Sequence, residues 1–260
     1  MHAYARPLLA LALLAASGTA HAASLHALTA DGKLLMIDSA QRRVGASVAV
    51  GTGAGRVLAI ALRPADGKLY GVTDAGQVVT IDPRTGRVTP GAKLDKPLEA
   101  GGRIAINFNP VVDRLRVIGA NGANYRIHPD TGAVTIDGAA KYAPGSTYAA
   151  TPPRITAAAY TNHVAGTKET ALYTVDSILG QINLQAPPND GVQQPKKEFG
   201  MGLPNGIGFD ILANGQGGNT GYMLMDGKLF TVAVADLAVT EVGTVEQMPA
   251  TEIVSLAVAK

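Results

Sequence analysis

The stretch KLYGVTDAGQVVTIDPRTGRVT, residues 68–89, carries the pattern that predicts the fold. Two short apolar runs surround the turn sequence DAG, and a third run follows the turn sequence DPRTG. Short runs that are broken by glycine, aspartate and proline are typical of antiparallel strands joined by tight turns. In DPRTG, Pro83 fits the second position of a type I turn, and Gly86 fits the position that needs a positive φ. The stretch therefore predicts three consecutive antiparallel strands.

The same plan returns four more times along the chain. The copies are RLRVIGANGANYRIHPDTGAVT (114–135), SLHALTADGKLLMIDSAQRRV (24–44), ALYTVDSILGQINLQAPPNDGV (171–192) and GYMLMDGKLFTVAVADLAVTEV (221–242). One more apolar run precedes all copies except the first: VLAIALRP (57–64), RIAINFNP (103–110), RITAAAYTN (154–162) and GIGFDILAN (206–214). Four strands repeated about every 45–50 residues are typical of the blades of a β-propeller.

The end of the chain supplies the strand that the first copy lacks. EIVSLAVAK, residues 252–260, has the pattern of VLAIALRP, and we expect it to pair with residues 24–30. Such pairing would join the first and last blades and leave no open sheet edge there. The predicted fold is all-β: a five-bladed β-propeller of four-stranded antiparallel blades, closed by the C-terminal strand pairing with the N-terminal blade. The alternatives are a β-sandwich or barrel, or a sixth blade within residues 136–170.

Several of these segments also resemble a known family. NFNPVVDRLRVIGANGANYRIHPDTGAV (107–134), ITAAAYTN (155–162), ALYTVDS (171–177), QAPPNDG (185–191) and GIGFDI (206–211) carry the resemblance. The chain is similar along nearly all of residues 23–260 to the bacterial domain-of-unknown-function family 4394, whose members are mostly exported. The resemblance implies a propeller-like domain in the cell envelope, and it implies no reaction.

The N-terminus has the three parts of a secretory signal. MHAYAR is a short basic leader, PLLALALLAASG is an apolar run, and Ala20 and Ala22 give an A-x-A cleavage pattern. We expect a signal peptide over residues 1–22, cleavage between Ala22 and Ala23, and one β-propeller domain over residues 23–260. The alternative is an ordinary apolar N-terminal helix. The run is too short to span a bilayer, so we expect no transmembrane segment and a periplasmic or secreted bacterial protein.

Composition narrows the possible partners. The net charge is +2, and no basic tract with interleaved aromatic residues occurs, which argues against nucleic acid. The chain has no cysteine, so its core alone must stabilise it. His26, His128 and His163 follow no metal-ligand spacing, and we expect no metal and no cofactor. The expected partner of this monomer is a small molecule, a glycan or a protein.

Polar residues within FNPVVDRLRV (108–117) form the first candidate site. Asp113 fits a turn, and Arg114 and Arg116 alternate with apolar residues, so they share one face of a strand. We hypothesise that Arg114, Arg116 and Arg126 form one hydrogen-bonded cluster with Asp113 and neighbouring carbonyls. Such a cluster would be a polar lock, that is, a set of polar contacts that joins two blades. The alternative is a binding site for an anionic or sugar ligand.

The innermost strands supply the second group of candidates. Asn107, Asn109, Asn162 and Asp210 are polar residues expected near a central channel. A five-bladed glycosidase needs two carboxylates across the channel, and that pair is not evident, so we predict no catalytic residue. We expect Asp210 to bind backbone amides of a neighbouring blade.

These candidates predict an exported binding scaffold with its ligand at one mouth of the channel. One alternative is a hydrolase of lactonase or glycosidase type that uses Asp210 in the channel. Another is a structural or protein-binding component of the cell envelope. The propeller fold does not decide between them, because function lies in the site.

Overall fold

The computed structural model describes residues 23–259, and nearly all of its regular structure is β-strand. The predicted signal peptide, residues 1–22, lies outside the described residues. Within the described part, the helical structure is one 3-10 turn, Pro188–Asp190, and no helix is long and apolar enough to cross a membrane.

The strands follow the predicted repeats. Blade 1 contains β1 (Ser24–Thr29), β2 (Lys33–Asp38) and β3 (Arg43–Ala49). Blade 2 contains β4 (Val57–Leu62), β5 (Leu69–Thr73), β6 (Gln77–Ile81) and β7 (Val88–Lys93). Blade 3 contains β8 (Ile104–Asn109), β9 (Arg114–Gly119), β10 (Asn124–Ile127) and β11 (Val134–Ile136).

The second half of the chain continues in the same way. The short strand β12 (Lys141–Tyr142) comes before blade 4, which contains β13 (Ile155–Tyr160), β14 (Leu172–Asp176), β15 (Gln181–Gln185) and β16 (Val192–Glu198). Blade 5 contains β17 (Ile207–Ala213), β18 (Asn219–Met225), β19 (Lys228–Ala233) and β20 (Ala238–Thr244). The last strand is β21 (Ile253–Ala259).

The predicted closure is confirmed. β21 pairs antiparallel with β1, with Ser24 opposite Ala259 and Thr29 opposite Ile253, and the sheet order is β21-β1-β2-β3. The strands β4, β8, β13, β17 and β21 contact one another in a ring and form the axis. The structure is therefore an all-β, five-bladed propeller. We call the face where these inner strands begin the upper face, and the face where they end the lower face.

One blade departs from the predicted four strands. β12 pairs in parallel with the outer strand β16, so blade 4 has five strands. Residues 136–170 contribute only this strand, the inner strand β13 and the end of β11, so the described chain has no sixth blade there.

The interfaces between blades differ in chemistry. Four of them hold large clusters of buried apolar side chains. The interface between blades 3 and 4 has only a small apolar cluster, which includes Ile118, Ile155 and Tyr160. On β14 and β15, Val175 and Ile182 pack toward blade 5. Because side chains alternate along a strand, the intervening polar residues face blade 3.

The DPRTG and HPDTG turns join neighbouring blades on the outside. Gly86 has a φ of 70°, and a Cβ there would collide with the carbonyl of Ala49 in β3. Gly132 has a φ of 75°, and a Cβ there would collide with the carbonyl of Lys93 in β7. Glycine is needed at both positions because each turn docks on the outer strand of the preceding blade.

Candidate functional site

A chain of hydrogen bonds crosses the axis and centres on Asp210 in β17. Its carboxylate accepts hydrogen bonds from Asn107 Nδ2 at 2.9 Å, from the Ile211 N–H at 2.9 Å and from the Val258 N–H at 2.8 Å. Val258 lies in β21, the strand that closes the ring. Asp210 therefore binds a backbone amide of the neighbouring blade 1.

The other inner strands take part in the same series of hydrogen bonds. Asn107 in β8 also accepts a hydrogen bond from the Tyr160 N–H of β13 at 3.1 Å. The Ser255 hydroxyl of β21 bonds with the backbone N–H and carbonyl of Ile60 in β4, each at 3.1 Å. Polar groups thus connect all five inner strands, and Asn107 and Asp210 are structural residues of the axis.

The part of the channel around Asp210 is closely packed. Asp210 is fully buried, and burial raises its pKa to about 7. At the upper end, Arg103 crosses the axis, pairs with Glu252 at 2.6 Å and donates to the carbonyl of Ile253 at 3.0 Å. A pocket between the inner strands, lined by Ala105, Ala157 and Val254, has a volume of only about 10 Å³. A substrate cannot reach Asp210 in this arrangement, and this geometry does not support a hydrolase site in the channel.

Asp113, in the FNPVVDRLRV segment, holds blade 3 against blade 2. It occupies a turn with a φ of 49° and accepts a hydrogen bond from Arg63 Nε at 2.9 Å. Arg63 lies just after β4 and also donates to Asp130 at 2.8 Å and to the Tyr70 hydroxyl at 3.1 Å. The hydrogen bond from Arg63 lowers the pKa of Asp130. We call this group the blade 2–3 lock.

Arg116 holds blade 3 against blade 4. It is 1% exposed and donates to Asp137 at 2.5 Å, to the Tyr160 hydroxyl at 3.2 Å and to Asn189 Oδ1 at 2.7 Å. Arg126 lies opposite Arg116 in the register and donates from Nε to the same Asp137 at 2.8 Å. This hydrogen bond raises the pKa of Arg126. We call this group the blade 3–4 lock.

The hypothesis of a single cluster is therefore wrong. Asp113 and Arg116 belong to two separate locks, and the carboxylate between Arg116 and Arg126 is Asp137. Arg114 belongs to neither lock, because within residues 23–259 it donates only to the carbonyls of Val112 at 3.1 Å and Asp113 at 3.0 Å in its own turn. Arg114 is the first residue of β9 and therefore lies at the lower face.

The asparagines at the ends of inner strands shape loops of the lower face. Asn109 Oδ1 accepts a hydrogen bond from the Val111 N–H at 2.9 Å, and Asn162 exchanges hydrogen bonds with Asn219 of blade 5 at 2.7 and 2.9 Å. Arg63 occupies the equivalent position in blade 2, at the end of VLAIALRP. Alignment of the repeats places this arginine where the other inner-strand segments have asparagine, so the sequence could have identified Arg63 as a candidate residue.

A pocket lies away from the axis, on the upper face between blades 2 and 3. It has a volume of about 590 Å³, and sequence reasoning did not identify it. The β5–β6 turn and the β7–β8 connection form its walls. Asn121 Nδ2 donates to the Glu99 carbonyl at 2.9 Å, and the Tyr125 hydroxyl accepts from the Glu99 N–H at 3.1 Å. These bonds hold the connection on blade 3 and leave the edge of blade 2 open.

The wall of this pocket contains an unsatisfied polar group. The Thr73 hydroxyl is buried and has no hydrogen-bond partner among residues 23–259. A second pocket, of about 350 Å³, lies at the lower mouth of the axis and includes His163. Burial lowers the pKa of His163 to about 4, so the imidazole is neutral at pH 7. In the described part of the chain, no group of three acidic, histidine or cysteine side chains is placed to hold a metal.

Comparison with protein families identifies the chain. The family described as "Domain of unknown function (DUF4394)" matches residues 33–257. The protein belongs to the DUF4394 family. No curated protein matches this DUF4394 chain.

Solved structures show distant likeness to this DUF4394 protein. A protein of unknown function from Bacteroides thetaiotaomicron is 15% identical with a TM-score of 0.48, over 83% of this chain and 57% of that one. A protein of unknown function from Bacteroides caccae is 10% identical with a TM-score of 0.43, over 85% and 73%. An auxiliary nutrient binding protein from Bacteroides ovatus is 12% identical with a TM-score of 0.41, over 76% and 55%. The chain thus spans little more than half of the first and third of these proteins.

The two arginines of the DRLRV sequence should differ in how much they contribute to stability. Arg116→Met leaves Asn124 and Asn189 without their buried donor and removes one partner of Asp137, so we expect a loss of about 3 kcal/mol of unfolding free energy. Arg114→Met is the matched control and should change stability by less than about 0.5 kcal/mol. Urea unfolding measures both variants. Equal effects of the two substitutions would contradict the blade 3–4 lock.

The raised pKa of Asp210 should make the stability of this DUF4394 propeller depend on pH. Asp210 keeps its proton up to about pH 7 when folded but loses it near its ordinary value of 3.8 when unfolded. The unfolded state therefore binds fewer protons in this window, and the unfolding free energy should fall as pH rises from about 4 to about 7.

Asp210→Asn should remove this decline. The substitution should also lower the unfolding free energy by about 1–3 kcal/mol, because the amide places a donor opposite the Val258 N–H. Asp226→Asn, in an exposed turn, is the control. Urea unfolding between pH 4.5 and pH 7.5 distinguishes them. If Asp210→Asn shifted stability equally at every pH, the raised pKa of Asp210 would be wrong.

Proposed function

We propose that this protein is an exported ligand-binding propeller and that its ligand occupies the upper pocket between blades 2 and 3. The observation that carries the proposal is this pocket of about 590 Å³, whose wall contains the unpaired Thr73 hydroxyl. Binding sites are typically concave and mostly apolar, with a few polar groups that orient the ligand. The upper pocket has these properties.

The alternatives have less support. A glycosidase needs two accessible carboxylates, and Asp210 is enclosed at the axis by three donors. A docking surface for another protein requires a contiguous apolar patch. Within residues 23–259, only five large apolar side chains are exposed: Val111, Val112, Ile136, Ile178 and Met201. Of these, only Val111 and Val112 are adjacent, in the β8–β9 turn of the lower face. We therefore propose a ligand-binding role in preference to a glycosidase or a docking surface for another protein.

The proposed site can be located by NMR. We expect members of a chemically diverse fragment library to shift the amide signals of residues 73–76 and 93–104. Ala75→Trp places a large side chain at the pocket wall and should abolish these shifts. Ala40→Trp, in an exposed turn on the lower face, should leave them unchanged. Fragments that shift only signals outside this pocket, or no specific signals, would overturn the proposed site.

Export is the second part of the proposal, and it rests on the leader sequence and the family resemblance. We expect the protein in a producing bacterium to start at Ala23 and to fractionate with the periplasm or the medium. N-terminal sequencing of the purified protein measures this. Substitution of Ala20 and Ala22 by arginine should block processing. An intact N-terminus in the unsubstituted protein would contradict the signal peptide.

A further inference from the structure

We infer that the upper pocket binds small amphiphilic anions, molecules with an apolar body and one carboxylate or similar anionic group. The inference rests on the proposed function, because it names the ligand class of the same site.

The floor of the pocket is an accessible part of the apolar core. Leu58, Leu94 and Leu98 are partly buried and pack against the core cluster that joins blades 2 and 3. Ala100 and Ile104 belong to that cluster and also line the pocket. An apolar ligand body placed here would extend the core and remove more apolar surface from water. A ligand that is polar throughout would leave this floor unused.

The glycines of the wall keep the floor accessible. A Cβ added at Gly76 or at Gly102 would meet no atom within 4 Å. Both residues have positive φ, 69° and 101°, so other residues are disfavoured there. Both glycines line the pocket, and neither carries a side chain that could narrow it.

The charges on the rim favour an anionic group. The charged residues that line the pocket are three basic and two acidic ones: Arg56, Lys93, Lys96, Asp74 and Glu99. Asp74 accepts a hydrogen bond from the Arg56 N–H at 2.9 Å and lies 3.7 Å from Arg56 Nε, so these two charges offset each other.

The remaining rim charges are two lysines and one glutamate. Within residues 23–259, Lys93 and Lys96 form no ion pair with a carboxylate, and Lys96 Nζ donates only to the carbonyl of Val134 at 3.0 Å. Because both lysines lie at the edge of an apolar floor, an anionic head can pair with them while its apolar body stays on the floor.

Three ligands of equal chain length test this inference: octanoate, 1-octanol and octyltrimethylammonium. Each is titrated at low salt into ¹⁵N-labelled protein, and the amide signals of residues 93–104 report binding. We expect octanoate to bind at least about fivefold more tightly than octyltrimethylammonium, with 1-octanol between them. Added salt should weaken the binding of octanoate and leave that of 1-octanol unchanged.

Charge reversal tests the role of the lysines. Lys93→Glu and Lys96→Glu should each weaken octanoate binding by about fivefold or more, and Lys141→Glu, an exposed lysine outside the pocket, should not. Well-dispersed NMR spectra verify that the variants fold.

Failure of the inference and failure of the proposed function give different results. If the three ligands bind equally, or if the cation binds most tightly, the anionic class is wrong and the binding site stands. If none binds while fragments still shift residues 73–76 in a manner that Ala75→Trp abolishes, the amphiphilic class is wrong and the site again stands. If neither the fragments nor the ligands bind there, both proposals fail.

Discussion

The hydrogen bond from the Val258 N–H to Asp210 joins the two ends of the ring. Val258 lies in the strand that closes blade 1, whereas Asp210 lies in the inner strand of blade 5. Burial of a carboxylate is costly, and three donors offset this cost only in part, because the pKa of Asp210 is still raised to about 7. The same donors that make its burial tolerable occupy its oxygens and prevent them from acting on a substrate. A carboxylate that might have suggested chemistry therefore serves the closure of the fold.

The interfaces between blades differ in whether polar or apolar contacts hold them. Four interfaces are held by large apolar clusters, which pack without strong directional requirements. The blade 3–4 interface depends on Arg116, whose donors need particular acceptors in defined directions. Buried ion pairs of this kind can specify an arrangement even where they add little net stability. The blade 3–4 lock thus fits a role in fixing the relative position of these two blades.

Local patterns predicted the fold, but they did not predict the partners of the polar side chains. Turn sequences and strand alternation depend on near neighbours, so the five repeats and the closure could be read directly. Asp113 and Arg63 are 50 residues apart, and Arg116 and Asn189 are 73 residues apart, so only the ring of blades brings them together. One of these contacts could have been predicted from the sequence. Arg116 and Arg126 lie opposite each other on paired strands, and two like charges in that position need a carboxylate between them.

The upper pocket follows from the same side-chain contacts. The inner strands pack closely around Asp210, and the upper pocket lies where a connection does not cover its neighbouring blade. The β7–β8 connection is held on blade 3, because Asn121 binds the Glu99 carbonyl and a Cβ at Gly101 would lie only 2.8 Å from Asn121. The apolar edge of blade 2 is uncovered as a result. A site held open by such contacts in the free protein spares a ligand the cost of ordering loops.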